Sequence, residues 1–106
     1  MNNVCQFCNV EHATTVPTVH LNGTSAEELR DQLDAAVEGL RAARQAVVQA
    51  APNGRDYYVQ DAIARGRAMG AHERRCGELT RMLAELEEMR DHVQAVIDFK
   101  AAQRAR

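Results

Sequence analysis

The stretch PNGRDYY, residues Pro52 to Tyr58, separates two long segments with helical periodicity and so decides the fold. Proline interrupts a helix and the Asn-Gly pair readily adopts turn conformations, so the stretch predicts a reversal of the chain. Both tyrosines of a chain with two Phe and no Trp follow this turn, next to an arginine. A plain turn does not require them, which marks the stretch as a candidate site.

The segment before the turn has the pattern of an amphipathic helix. Thr24 or Ser25 is the predicted N-cap, and Glu27 or Glu28 follows three residues later at the capping-box spacing. Apolar residues then recur at alternating spacings of four and three, which is a heptad seam. The seam consists of Leu29, Leu33, Ala36, Leu40, Ala43, Val47 and Ala50.

The segment after the turn is predicted to form a second, longer helix from about Asp56 to about Ala101. Glycine in a helix costs up to about 1 kcal/mol relative to alanine, so glycines here indicate either a break near residue 70 or a close approach by another helix. We favour close approach, because Gly39 and many alanines lie in the facing helix. The glycines are Gly66, Gly70 and Gly77.

Together these segments predict an all-α fold. We expect an N-terminal arm over residues 1–24 and, over residues 25–106, an antiparallel helical hairpin with unequal helices of about 39 Å and 68 Å. Folding back at the turn would place Leu29 opposite Leu79, so α-helical residues after about 82 would lack a partner helix.

Apolar side chains continue beyond residue 82, and exposing each would forgo about 1.5–3 kcal/mol. We therefore expect the arm, a second copy or both to cover them, within a homo-oligomeric bundle of at least four helices. These side chains belong to Leu83, Leu86, Val93, Val96, Ile97 and Phe99.

Composition narrows the classes of function. The net charge of −2 and the pI near 6.1 argue against nucleic acid as a partner. No apolar run approaches 20 residues, and no basic region followed by an apolar stretch opens the sequence, so neither a membrane span nor a secretory signal is expected. Three cysteines without a signal favour a reducing cytosol. No Ser-His-Asp or paired-carboxylate pattern is present, so we expect no enzyme.

The arm carries a candidate zinc site. Cys5 and Cys8 have the spacing with which two thiolates hold one edge of a tetrahedral zinc, and His12 and His20 are the nearest further ligands. His72 and Cys76, four residues apart on one helix, are an alternative second pair. Free thiols or a disordered arm are the other interpretations. His92 is expected to be solvated.

Two sets of residues are candidates for binding a phosphorylated ligand. Tyrosine rings stack on bases and arginines bind phosphates, and the first set, after the turn, combines both residue types. It consists of Arg55, Tyr57, Tyr58, Arg65 and Arg67. The start of the first helix offers backbone amides for a second anion site at His20, Asn22, Gly23 and Thr24. Alternatively, the tyrosines pack against the turn and the helix start is an ordinary N-cap.

The motifs VPTVHLNGTSAEEL and APNGRDYY resemble a family of small bacteriophage and prophage proteins over residues 16–60. This resemblance implies a protein of the cytoplasm of an infected bacterium. The arrangement of arm and unequal helices is similar to that of the phage anti-CBASS sponge, which forms helical oligomers that sequester cyclic oligonucleotides.

The resemblance leads us to expect a non-enzymatic binder that sequesters a host nucleotide immune signal, either a cyclic oligonucleotide or an NAD-derived molecule. The alternative is a zinc-braced interaction or structural module that docks a host or virion protein. The cysteine arm is not part of the family pattern, so the resemblance does not imply zinc.

Overall fold

The computed structural model describes residues 12–105, which form a helical hairpin without strands. Helix α1 covers Ala26–Gln49, a short 3-10 turn covers Gly54–Asp56, and helix α2 covers Ala62–Arg104. The two helices pack against each other, which confirms the predicted fold class.

Helix α1 begins where the sequence predicts. The Ser25 hydroxyl accepts a hydrogen bond from the Glu28 backbone N–H at 3.1 Å, so Ser25 is the N-cap. Glu27 and Glu28 lie in the first turn, where their negative charge interacts favourably with the positive end of the helix dipole.

Helix α2 begins at Ala62, so the predicted start near Asp56 is wrong. The Asn53 side chain accepts a hydrogen bond from the Arg55 N–H at 2.9 Å and caps the separate 3-10 turn. The Asp61 carboxylate then accepts one from the Ala64 N–H at 2.8 Å and caps α2. The Asn53 and Asp61 caps thus stabilise a connection between α1 and α2 that is longer than the turn predicted from the sequence.

The glycines of α2 neither break the helix nor pack closely in the described chain. Helix α2 is continuous through residue 70. Among the described residues, nothing lies within 4 Å of where a Cβ would stand on four helical glycines, so the expected close approach is wrong. These are Gly39, Gly66, Gly70 and Gly77.

Internal contacts divide the chain into two compact units. The first, here called the arm half, consists of the N-terminal segment through Glu38 together with Ala84–Arg106. The second, here called the turn half, is Gly39–Leu83.

In the arm half, the first part of α1 packs antiparallel to the last part of α2. Arg90 Nε lies 3.7 Å from Asp34 Oδ1, and Ala26 lines the same cavity as Lys100 and Arg104. Residue numbers thus rise along one helix as they fall along the other. The core is built on two fully buried valines, Val37 and Val93, with Ala26 and Val96 almost fully buried.

The predicted pairing register is wrong. Asp34 faces Arg90, so α1 reaches much further along α2 than a pairing of Leu29 with Leu79 allows. Val93 and Val96 are therefore buried within the single chain rather than left without a partner. The observed register is favoured over the predicted one because it places the apolar end of α2 against α1 and the arm.

The turn half is much less well covered. Among the described residues of this half, Leu83 is the one large apolar side chain that is almost fully buried, whereas Leu40, Val47 and Leu79 are half-buried. A larger set is exposed to solvent: Val48, Tyr58, Val59, Ile63, Met69 and Met82.

Candidate functional site

The arm is fastened to α2 by a polar cluster centred on Glu88. Glu88 Oε1 lies 3.0 Å from His12 Nδ1 and accepts a hydrogen bond from the Ala13 N–H at 2.9 Å. Thr14 adds hydrogen bonds from both its side chain and its backbone. One carboxylate therefore holds three successive residues of the arm.

These hydrogen bonds determine the ionisation of Glu88. Burial by itself would raise the pKa of its carboxyl, but hydrogen bonds from Thr14, His12 and Ala13 outweigh this effect and hold the pKa below its usual value. Glu88 is thus a carboxylate at neutral pH and acts as an acceptor for the arm.

His92 completes the attachment one helical turn further along α2. It is only 5% exposed, and its Nε2 lies 3.0 Å from the Pro17 carbonyl oxygen. Its ring meets the His12 ring edge to face, with ring centres 5.3 Å apart and an interplanar angle of 87°. The expectation that His92 is solvated is wrong, because the arm covers it. The sequence signal for its burial was its position four residues before Val96, on the same face of the helix.

The structure separates two of the predicted zinc ligands. His12 lies against Glu88, whereas His20 is exposed in the turn before α1 and lines a cavity with Lys100 and Arg104. Glu88 and Lys100 are about 18 Å apart along α2, so the structure places His12 and His20 at different points along this helix. Cys5 and Cys8 lie outside the described residues.

The alternative ligands His72 and Cys76 do lie together in the turn half. Cys76 Sγ is 3.5 Å from His72 Nε2, as their spacing of four residues on one helix predicts. Among residues 12–105, no group of three or more His, Cys, Asp or Glu side chains is arranged to hold a metal ion. This pair therefore has no third ligand within the described part of the chain.

The start of α1 borders a cavity of about 500 Å³. His20 and Gly23 line it, as predicted for an anion site, whereas Asn22 and Thr24 are not part of its lining. Lys100 and Arg104 bring two positive charges that the sequence analysis missed, because only the antiparallel pairing brings the end of α2 here. Glu27 also lines the cavity and reduces its positive potential.

The residues after the turn form a second cavity, of about 520 Å³, here called the turn cavity. Tyr57, Tyr58 and Arg65 line it together, while Arg55 and Arg67 do not. The Arg65 guanidinium lies over Gly54, so close that a Cβ there would stand 3.3 Å from its central carbon. The turn therefore brings together three of the five residues predicted to bind a ligand.

The turn cavity is open to solvent and is lined by both aromatic and charged side chains. Tyr58 is 79% exposed and Tyr57 is half-buried, so their ring faces are accessible to a partner. Asp61 also lines the cavity and opposes the positive charge of Arg65. Such a surface is able to stack on a planar ligand or to contact another protein, but it has a single arginine for a phosphate.

Comparisons with family models, with curated proteins and with solved structures find no match to this chain. In the described part of the chain, no helix is both long enough and apolar enough to cross a membrane.

Proposed function

We propose that this chain is a non-enzymatic protein-binding module that pairs with a second copy through its turn half. The setting would be the cytoplasm of a phage-infected bacterium, as the family resemblance implies. The observation that carries the proposal is the exposure of apolar side chains beside the turn, where Tyr58 is 79%, Val59 77% and Ile63 62% exposed.

The composition of this surface supports a protein partner. Tyrosine, methionine and arginine are enriched in protein interfaces, and tyrosine and arginine often dominate their binding energy. Tyr58, Arg65 and Met69 supply these residue types around the turn cavity. Covering Val59 and Ile63 would stabilise a complex by about 1.5–3 kcal/mol each if burial were complete.

A second copy is the partner that the chain itself indicates. Ile63, Gly66 and Met69 recur at spacings of three residues in α2, and Val59 lies four residues before Ile63, yet Val59, Ile63 and Met69 are exposed in the single chain. A two-fold interface brings the same surface of each copy together, so each would cover the exposed seam of the other. Gly66 and Gly70 have open space beside them, which leaves room for another helix.

The test is sedimentation of the purified protein from low to high micromolar concentration. We expect a dimer or larger assembly for the wild type and a monomer for Ile63→Asp, because a carboxylate buried without a partner is costly. Ala102→Asp is the matched control, since it adds the same charge to an exposed position of α2 in the arm half.

Circular dichroism should show that all three proteins remain helical, since Ile63 is exposed in the single chain. A wild type that stays monomeric throughout the range contradicts the proposal. So does an Ile63→Asp variant that assembles as well as the wild type.

The turn cavity supports a second candidate function, sequestration of a nucleotide signal. Its volume of about 520 Å³ is in the range of small-molecule sites, and Tyr57, Tyr58 and Arg65 offer stacking faces and a phosphate ligand. We place it second because Arg55 and Arg67 do not line the cavity and Asp61 does.

Calorimetric titration with cyclic di- and trinucleotides and NAD-derived cyclic signals tests this candidate. Base stacking is worth about 1–3 kcal/mol, so Tyr57→Ala or Tyr58→Ala should weaken binding roughly ten- to a hundredfold. Arg67→Ala should have little effect, because Arg67 does not line the cavity. If the wild type binds no member of the panel, the nucleotide function is excluded for those ligands.

A further inference from the structure

A histidine and a cysteine face each other on α2 in the turn half. His72 and Cys76 are four residues apart, which places both side chains on one face of the helix. Cys76 Sγ lies 3.5 Å from His72 Nε2, and both residues are half-buried. Within residues 12–105, this contact is the one hydrogen-bonding interaction that either side chain makes. The pair is therefore not engaged in another polar cluster of the described chain.

The separation of the two atoms fits two ligands of one zinc ion. Zinc lies about 2.3 Å from a cysteine sulfur and about 2.0–2.1 Å from a histidine nitrogen. At the tetrahedral angle, these bond lengths place the sulfur and the nitrogen about 3.6 Å apart. The observed distance between Cys76 Sγ and His72 Nε2 is 3.5 Å. A zinc ion would therefore replace the thiol proton between them with little movement of either side chain.

One chain supplies only half of such a site. A structural zinc ion takes four ligands, and the described part of the chain places no third His, Cys, Asp or Glu side chain with this pair to hold a metal. Two-fold symmetry offers the missing half, since a metal ion on the axis meets the same two side chains from each copy. Two thiolates and two neutral imidazoles would then complete a closed tetrahedral site without net charge.

The position of the pair along α2 connects it with the surface proposed for pairing. Residues of one seam recur at alternating spacings of three and four: Met69, His72, Cys76, Leu79 and Leu83. At one end of this seam Met69 is 36% exposed, and at the other Leu83 is 3% exposed. Residues three apart are neighbours on a helix surface, so a second copy that covers Met69 comes next to His72.

We propose that His72 and Cys76 of two copies bind one zinc ion on the two-fold axis of the dimer, so that zinc strengthens the pairing of the turn halves. The inference rests on the proposed pairing and adds a metal site and a means of regulation to it. The sequence analysis treats this pair as partners of Cys5 and Cys8 in one chain, whereas here the second copy supplies the other two ligands.

The experiment is native mass spectrometry and sedimentation of the full chain under reducing conditions, first after removal of metal with a chelator and then after addition of zinc chloride. We expect the wild-type dimer to bind one zinc ion through this site. Zinc should lower the dissociation constant of the dimer roughly 5- to 150-fold, the usual range of coupling between two binding events.

Variants of the pair test the ligands directly. Relative to the wild type, Cys76→Ser and His72→Ala should each lose one zinc ion per dimer and the response of dimerisation to zinc. Cys76→His should keep both, because two histidines four residues apart on a helix also bind zinc. The matched controls are Cys5→Ser and His20→Ala, which remove a cysteine and a histidine outside the pair and should respond to zinc as the wild type does.

The outcomes separate this inference from the proposed pairing. A wild type that dimerises without zinc and is unaffected by it overturns the metal site and leaves the pairing intact, whereas a wild type that stays monomeric with and without zinc overturns both. A folded Cys76→Ser variant that still responds to zinc, or a Cys5→Ser variant that does not, also overturns the metal site. If Cys76→Ser or His72→Ala unfolds, Cys76→His decides: a folded protein that responds to zinc supports the site, and a folded protein that does not overturns it.

Discussion

At the scale of single residues, burial separates side chains of the same type. Val93 is fully buried in the arm half, whereas Val48 is 52% exposed in the turn half. Both are valines within helices, so their intrinsic helix propensities are equal and only their surroundings differ. The sequence places both within predicted helices, but the amount of burial follows from the pairing register, which the sequence predicts incorrectly.

This contrast yields a prediction about stability. Val93→Ala should lower the free energy of unfolding by about 2 kcal/mol, because it removes two buried methyl groups and leaves a cavity. Val48→Ala is the control and should change stability by no more than about 0.5 kcal/mol. Urea unfolding followed by circular dichroism measures both. Equal effects of the two substitutions would mean that Val93 does not lie in the core.

At the scale of secondary-structure elements, local signals predict the start of α1 but not that of α2. Ser25 and the acidic residues after it form a strong N-cap pattern, and the structure confirms it. The region after Pro52 contains two competing caps, Asn53 and Asp61, and the first leads only into a short 3-10 turn. Sequence spacing does not show which cap begins a long helix.

The glycines of α2 give a prediction at this scale. Gly77 has open space where a Cβ would stand, so Gly77→Ala should stabilise the helix by up to about 1 kcal/mol. The midpoint of thermal unfolding should rise accordingly. A fall in the midpoint would mean that a neighbouring chain packs against Gly77, since within the described chain nothing is close enough to clash.

At the scale of the whole molecule, the arm lies against α2 and covers part of its surface. Its anchors, Glu88 and His92, are polar residues of α2 and so carry no hydrophobic signal. Sequence periodicity therefore predicts the helices and the hairpin, but not the register or the residues that the arm covers. The candidate site is predicted in part for the same reason: neighbours in sequence such as Tyr57 and Tyr58 are found, while the contact of His12 with His92 is not.

The central claim is that the arm half buries its core around Val37 and Val93 within one chain, whereas the turn half gains its cover from a second copy. Hydrogen–deuterium exchange at low and high protein concentration tests it most directly. Because binding protects the amides it covers, exchange over residues 62–70 should slow as the concentration rises. Exchange over residues 90–97 should be slow at every concentration. Exchange over residues 62–70 that is independent of concentration, or protection of residues 90–97 that appears only at high concentration, would contradict the claim.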